Sequence, residues 1–339
     1  MENPVLTIVV PCYNEEEVLP ETETRLSRVL NELVQDRLVS SASTILFVDD
    51  GSRDRTWALI EQFHISNPYV TGLKLAANAG HQNALLAGLM TAEAYSDCVI
   101  SIDADLQDDT GVMREFVVRF REGYDVVYGV RKSRATDTWS KRATAQGFYK
   151  LMTKMGVNIR YNHADYRLLS KRALQSLEQF KEVNLFLRGI VPLIGFPSTE
   201  VYYDRLERFA GESKYPLKKM LAFALEGITS FSVKPIRFVT LTGFGFAVLS
   251  ALAFIYALVG KFWGTTVSGW TSLILSIWFI GGVQLLALGL IGEYIGKIYK
   301  EVKRRPLYVI EKQMLTDVGK REYQQSAAEA AISIGGRYD

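Results

Sequence analysis

Residues 6–16 read LTIVVPCYNEE: a short apolar and β-branched run, a proline, then a polar stretch that ends in glutamates. An apolar run of this length, closed by turn residues, reads as a strand covered on both faces. The same grammar recurs at 44–54, TILFVDDGSRD, and at 98–109, CVISIDADLQDD. Two further runs, 70–75 and 125–129, also read as strands, and helix-length segments lie at 16–35, 56–64 and 81–94. Strands alternating with helices imply an α/β fold, Rossmann-like, with a mostly parallel sheet built from right-handed crossovers. Ligands of such sheets sit at the carboxyl ends of the strands. The three acidic clusters follow directly on those ends.

The chain has 339 residues, enough for one large domain plus a further module. Its net charge of +2 selects no partner, and no nucleic acid is expected. Cys12 and Cys98 each lie in or beside a strand-like run, and two such residues make neither a disulfide framework nor a metal cluster. They read as small core residues in a reducing compartment. The N-terminal MENPVLTIVV lacks the basic segment and cleavage site of a signal peptide, so the N-terminal part is expected in the cytosol.

Beyond residue 215 the composition changes. Residues 238–259 carry no charge and are long enough to cross a bilayer, and a second uncharged stretch runs from 262 to 292. Two transmembrane helices are therefore expected, at about 238–259 and 271–292. Lys234 and Arg237 precede the first, while Lys297, Lys300, Lys303, Arg304 and Arg305 follow the second. The positive-inside rule then puts both termini in the cytoplasm and the short loop outside, a multi-pass protein of the cell membrane. Residues 217–231 and 139–155 mix lysine and arginine with helically spaced apolar residues, as interfacial amphipathic helices do. The expected division is a catalytic domain at 1–215, an amphipathic juxtamembrane segment at 216–235, the membrane part at 236–296 and a basic, polar tail at 297–339. From 312 onward the tail reads as frayed helix or disorder.

Asp103-Ala104-Asp105 after a strand suits a divalent cation held between protein and a diphosphate, because Mg²⁺ and Mn²⁺ take hard oxygen ligands and share them with phosphate. Alone the pair is a weak signal. Three acidic clusters in order, each after its strand, are far more specific. His64, His81 and His163 show no metal-ligand spacing, and a structural role is favoured for His81.

The motifs VVPCYNE (9–15), VDDGSRD (48–54), DADLQD (103–108), YGVR (128–131), DYRL (165–168) and RFAGESKY (208–215) together resemble family 2 glycosyltransferases of the GT-A fold. The likeness is greatest to the dolichyl-phosphate-mannose-synthase-like and bactoprenol glucosyltransferase branch, and it extends over 5–310, the two C-terminal spans included. The resemblance implies an inverting hexosyltransferase with Mg²⁺ or Mn²⁺ as cofactor. Its donor is a nucleotide sugar, with UDP ahead of GDP, and its acceptor is undecaprenyl or another polyprenyl phosphate at the cytoplasmic face. Pro11, Tyr13 and Glu15 would contact the nucleoside, with Asp49 and Asp50 near base and ribose. Asp103 and Asp105 would hold the metal beside the diphosphate, flanked by Gln107, and Asp165 would face the sugar. Asp165, Asp105 and Arg131 are the residues expected to carry catalysis.

A lipid phosphate needs cations, and arginine binds phosphate through paired hydrogen bonds. Arg131, Arg134, Lys141, Arg142, Arg208 and Lys214 are the expected acceptor-phosphate residues; for Lys141 and Arg142 a solvated basic surface is the plain alternative. Glucose and N-acetylglucosamine lead as sugars, with mannose from GDP-mannose left open. The product would serve cell-envelope glycan modification, with a flippase and an outer-face glycosyltransferase downstream, and self-association stays open. A processive polysaccharide synthase would carry a Gln-x-x-Arg-Trp motif, absent here, and a non-catalytic nucleotide-sugar-binding scaffold would be expected to lose the acidic clusters.

Overall fold

The computed structural model describes residues 3–132, 163–183, 186–204, 234–262, 269–316 and 323. The chain divides into two compact units, one holding the N-terminal residues together with those after Arg304, the other the long helices before it.

The first unit begins as the alternation predicts. Strands β1 (Leu6–Cys12), β2 (Thr44–Asp49), β3 (Val70–Leu75) and β4 (Cys98–Ser101) run parallel, with β1 between β4 and β2. The crossovers carry α1 (Leu19–Gln35), α2 (Thr56–Ser66) and α3 (His81–Glu93). Helix α1 buries Leu19, Leu26, Leu30 and Leu33, a helical stripe that packs on the sheet. Full burial of such leucines contributes about 1.5–3 kcal/mol each. Pro20 sits in its first turn, where its missing N–H costs nothing.

After α4 (Met113–Arg121) the sheet departs from the simple alternation. Strand β5 (Val126–Arg131) does not pair with β4; β6 (His163–Ser170) inserts antiparallel between them. The short helices α5 (Lys171–Glu178) and α6 (Leu187–Ile190) lead to β7 (Ser198–Tyr203), parallel to β5 at the sheet edge. At the other edge β8 (Ile310–Met314) pairs antiparallel with β3, giving, among the described residues, eight strands in the order β7-β5-β6-β4-β1-β2-β3-β8. Four of the seven pairings are parallel. Strand β8 lies in the stretch expected to be tail, and its first residues are ordered against the sheet. Lys312 binds Glu61 at 2.6 Å, Lys74 binds Glu311 at 3.0 Å, and both lysines lie 5.9 Å from the Trp57 ring centroid.

The second unit contains two long helices, α7 (Lys234–Phe262) and α8 (Trp270–Lys303). Among the described residues, one stretch, Phe279–Lys303, is long and apolar enough to cross a membrane by length and composition. Phe238, Leu241 and Phe244 on α7, and Leu285 and Leu288 on α8, are exposed. The amphipathic segments expected at 139–155 and 217–231 lie outside the described residues.

Candidate active site

The carboxyl ends of β1, β2 and β4 bring the acidic clusters to one rim. The turns after β1 and β2 are stitched together. Asn14 accepts a hydrogen bond from Arg53 N–H (2.9 Å) and its own N–H donates to Ser52 Oγ (3.0 Å), while Glu15 N–H donates to Thr56 Oγ1 (2.9 Å). Tyr13 is exposed, Pro11 buried and Glu15 half-buried. Asp49 is fully buried; its Oδ1 accepts from Ser52 N–H at 3.1 Å, and its Oδ2 has no hydrogen-bond partner among the described residues. Asp50 accepts from the backbone N–H groups of Ala79 (2.6 Å) and Gly80 (3.0 Å), which fixes the turn that opens α3. Burial raises both carboxyls above the usual aspartate range. Gly51, at φ 67°, lets that turn approach: a Cβ there would lie 2.7 Å from Ala77 C and Asn78 N.

Asp103 and Asp105 follow β4. Asp103 Oδ1 is buried without a hydrogen-bond partner among the described residues, and burial lifts this carboxyl to about 6, with Asp165, Asp108 and Asp105 adding repulsion. Asp105 Oδ1 accepts from Gln107 N–H at 3.2 Å. Between them Leu106 takes φ 56°, uncommon for a residue with a Cβ and costing on the order of 1–3 kcal/mol. That turn is pinned from behind, where Thr22 of α1 donates to Ala104 O at 2.8 Å.

Strand β6 supplies the opposite wall. It pairs Ser101 with Arg167, so its register runs on to set Asp165 across from Asp103, and Ser101 Oγ donates to Asp165 O at 2.5 Å. Asp165 is buried among donors. Arg167 Nη2 lies 2.5 Å from Oδ1, Arg188 Nη2 3.0 Å from Oδ2, and Gln82 Nε2 3.4 Å from Oδ2. Gln82 in turn accepts from Leu187 N–H at 3.1 Å, tying α3 to α6. His81 Nε2 stands 3.6 Å from both Asp103 Oδ1 and Asp165 Oδ2. Burial alone would raise Asp165, but Arg188, His81 and Arg167 hold it well below the usual carboxylate range. Burial opposes the charge on His81, and Asp165 and Asp103 overcome it, so its pKa is raised.

The structure thus brings Asp49, Asp50, Asp103, Asp105, Gln107 and Asp165 to one rim. Arg131 ends β5, beside the strand that carries Asp165, and pairs with Asp108. Arg134, Lys141, Arg142, Arg208 and Lys214 lie outside the described residues. His81, for which the sequence favours a structural role, joins two of the expected site carboxylates. Gln82, Arg167 and Tyr203 are absent from the expected set. The rim rule reaches His81 and Gln82, since both open the helix that follows β3.

The family model for glycosyl transferase family 2 matches residues 7–178, the stretch that holds all of these acidic residues. The chain belongs to glycosyl transferase family 2. This glycosyltransferase is 63% identical over 308 residues to the uncharacterized glycosyltransferase YkoT of Bacillus subtilis (strain 168), with 91% of each chain covered. It is 40% identical over 309 residues to the SfII prophage-derived bactoprenol glucosyl transferase of Shigella flexneri, covering 91% of this chain and 97% of that one. A prophage bactoprenol glucosyl transferase homolog of Escherichia coli (strain K12) is 39% identical over 312 residues, covering 91% and 98%. The α/β architecture with its mostly parallel sheet is GT-A-like, as the family resemblance implies.

Proposed function

We propose that this glycosyltransferase moves a hexose, glucose first among the choices, from a UDP-sugar to a polyprenyl phosphate at the cytoplasmic face of a membrane. The observation that carries the reading is the state of Asp165. A hydroxyl acceptor needs a base to take its proton. Asp165, the carboxylate proposed to face the sugar, is held ionised by two arginines with its oxygens already hydrogen-bonded, which makes it a poor base. A phosphate acceptor needs none, because the second pKa of a phosphate monoester is about 6 and the group is largely dianionic at neutral pH. Asp165 then orients the sugar and stabilises positive charge that develops on its ring, while its partners keep it in place.

At the nucleoside end, Pro11, Tyr13 and Glu15 meet the base and ribose together with Asp49, whose buried Oδ2 is left for a ligand N–H. Asp50 acts on the same pocket through the turn that it fixes. Asp103 Oδ1, which makes no hydrogen bond among the described residues and has His81 Nε2 3.6 Å away, would with Asp105, and with Gln107 beside them, hold a hard divalent ion, Mg²⁺ or Mn²⁺, an ion type that shares oxygen ligands with phosphate. Among the described residues no group of three or more His, Cys, Asp or Glu side chains is set to hold a metal. When bound, the ion supplies counter-charge to the leaving diphosphate. Arg131, with Arg134, Lys141, Arg142, Arg208 and Lys214, receives the acceptor phosphate. Helices α7 and α8 are read as two spans that keep the domain at the lipid surface, consistent with their exposed apolar side chains and flanking lysines and arginines.

The deciding experiment gives detergent-purified protein a short polyprenyl phosphate and, in turn, UDP-glucose, UDP-N-acetylglucosamine and GDP-mannose with Mg²⁺ or Mn²⁺. The expected result is an acid-labile sugar–phosphate–lipid from one UDP-sugar. Transfer to polyprenol or to a sugar hydroxyl, with none to the phosphate, would overturn the reading.

A further inference from the structure

One buried ionic group near the rim has no part in the arrangement around Asp165. Arg131 closes β5 and stands in register with Tyr203 of β7. Its Nε and Nη2 lie 3.1 and 2.8 Å from the same oxygen, Asp108 Oδ1, and the Tyr203 hydroxyl reaches that oxygen at 2.6 Å. Arg131 Nε is also 3.3 Å from the Tyr203 hydroxyl. The Tyr203 ring is set by Tyr166, edge-on at 5.4 Å, whose own hydroxyl donates to Asp109 O at 3.0 Å. Close packing fixes the ring further: a Cβ on Gly129 would lie 3.0 Å from Tyr203 Cε1.

The exposure of the two charges differs. Asp108 is 1% exposed in its side chain and Arg131 25%. Asp108 Oδ2 is buried and has no hydrogen-bond partner among the described residues. A buried carboxylate left half unmatched is costly, and a buried ion pair is weak grounds for stability. What such a pair does supply is direction. A guanidinium has five N–H donors in a rigid fork with two usable edges. Asp108 takes the side-on edge, Nε with Nη2. The end-on edge, Nη1 with the second hydrogen of Nη2, makes no hydrogen bond among the described residues. Two parallel donors on an end-on edge match two oxygens of a phosphate.

We propose that Asp108 and Tyr203 are positioning residues for the acceptor: they hold Arg131 by its side-on edge so that its end-on fork takes the lipid phosphate. The inference rests on the phosphate-acceptor reading above. It separates two roles within one short motif. Asp103 and Asp105 serve the donor side, and Asp108, five residues after Asp103, turns its carboxylate towards the acceptor arginine.

The test uses full-length protein in detergent with a short polyprenyl phosphate and the accepted UDP-sugar. Asp108→Asn keeps shape and removes charge, and Tyr203→Phe removes only the hydroxyl. Asp108→Asn is expected to raise the acceptor KM about tenfold, the size of losing a charged hydrogen bond, and Tyr203→Phe roughly threefold, less because Arg131 keeps its pair with Asp108. Affinity for UDP with metal, read by calorimetry, should stay within about twofold. On an Arg131→Ala background Asp108→Asn should add nothing, because the two act as one unit. Additive losses, or a fall in UDP affinity matching that in acceptor KM, would overturn the inference. If Asp108→Asn fails to fold, Tyr203→Phe decides alone: an unchanged acceptor KM sinks the proposal. An unchanged acceptor KM in Arg131→Ala is a different failure, for then Arg131 is no phosphate anchor and the acceptor site itself must be placed elsewhere.

Discussion

Arg188 grips Asp165 through two nitrogens, with Nη2 3.0 Å from Oδ2 and Nε 3.3 Å from Oδ1. Arg167 holds the same carboxylate from two residues along β6, so Arg188 is the arginine of the pair that comes from another element, α6.

Removing that grip should affect turnover more than folding. Arg188→Ala leaves Asp165 paired with Arg167 and within reach of Gln82 and His81, but without its two-pronged hold. A charged hydrogen bond is worth about 1.5–3 kcal/mol, so kcat should fall roughly ten- to a hundredfold with donor saturating. Arg188→Lys should recover part of the loss, since an ammonium lacks the two-pronged contact. Wild-type kcat in Arg188→Ala would mean that Arg167 alone suffices.

The acid limb of the stability curve carries a second prediction. The folded-state pKa of Asp165 is depressed, so its contribution is fully present above the unfolded value near ~3.9 and is lost as pH falls through the lower folded value. Asp165→Asn leaves buried Arg167 without its anion and should cost about 3–5 kcal/mol at pH 7. Melting curves from pH 7 down to pH 3 should show the gap between wild type and variant narrowing only in the most acid samples. A gap that is constant across the range would show that the charge on Asp165 is not what stabilises.

Asp103→Ala and Asp105→Ala should each lower transfer about a hundredfold or more, because a metal's charge stabilisation of the leaving diphosphate is worth several kcal/mol. Chelator should do the same to wild type, with Mg²⁺ or Mn²⁺ restoring it. Full turnover of either variant in chelator would remove the metal from the mechanism.

Cysteine probes test the membrane reading. A probe at Gly269, before α8, should be labelled by an impermeant reagent from outside intact cells, and one at Glu301 only after lysis. The opposite pattern would set the catalytic unit apart from cytosolic nucleotide sugars.

Ending the chain after Arg304 removes β8 and bares the β3 edge. The truncated protein should melt lower, by roughly 2–4 °C for each kcal/mol lost, and should self-associate through that edge in size-exclusion chromatography. An unchanged melting temperature would make β8 dispensable for the catalytic unit.

The sheet's first half was legible because β1 to β4 are continuous apolar runs, and their polar ends marked the rim. Strand β6 was hidden by its chemistry: HADYRLLS carries Asp165 and Arg167, both buried, so a strand interior looks like a polar loop. Strand β8, IEKQM, is an edge strand with one face to water and shows little apolar signal. Within the site, the carboxylates stood out as motifs. Their partners did not, because His81 and Gln82 of α3 and Arg188 of α6 meet Asp165 only when β6 slots between β4 and β5, and Tyr203 reaches Asp108 from β7.

The pairing of β8 with β3 also sets an order of events during synthesis. Lys74 meets Glu311 across 237 residues, so β8 leaves the ribosome long after its partner. At ~5–20 residues per second that delay is roughly ten to fifty seconds. Through it the β3 edge stands open while both long helices are made, so that edge is covered only when the residues after α8 arrive. A ribosome that stalls within α8 would release a nascent chain with its acidic rim encoded in full and its sheet one strand short.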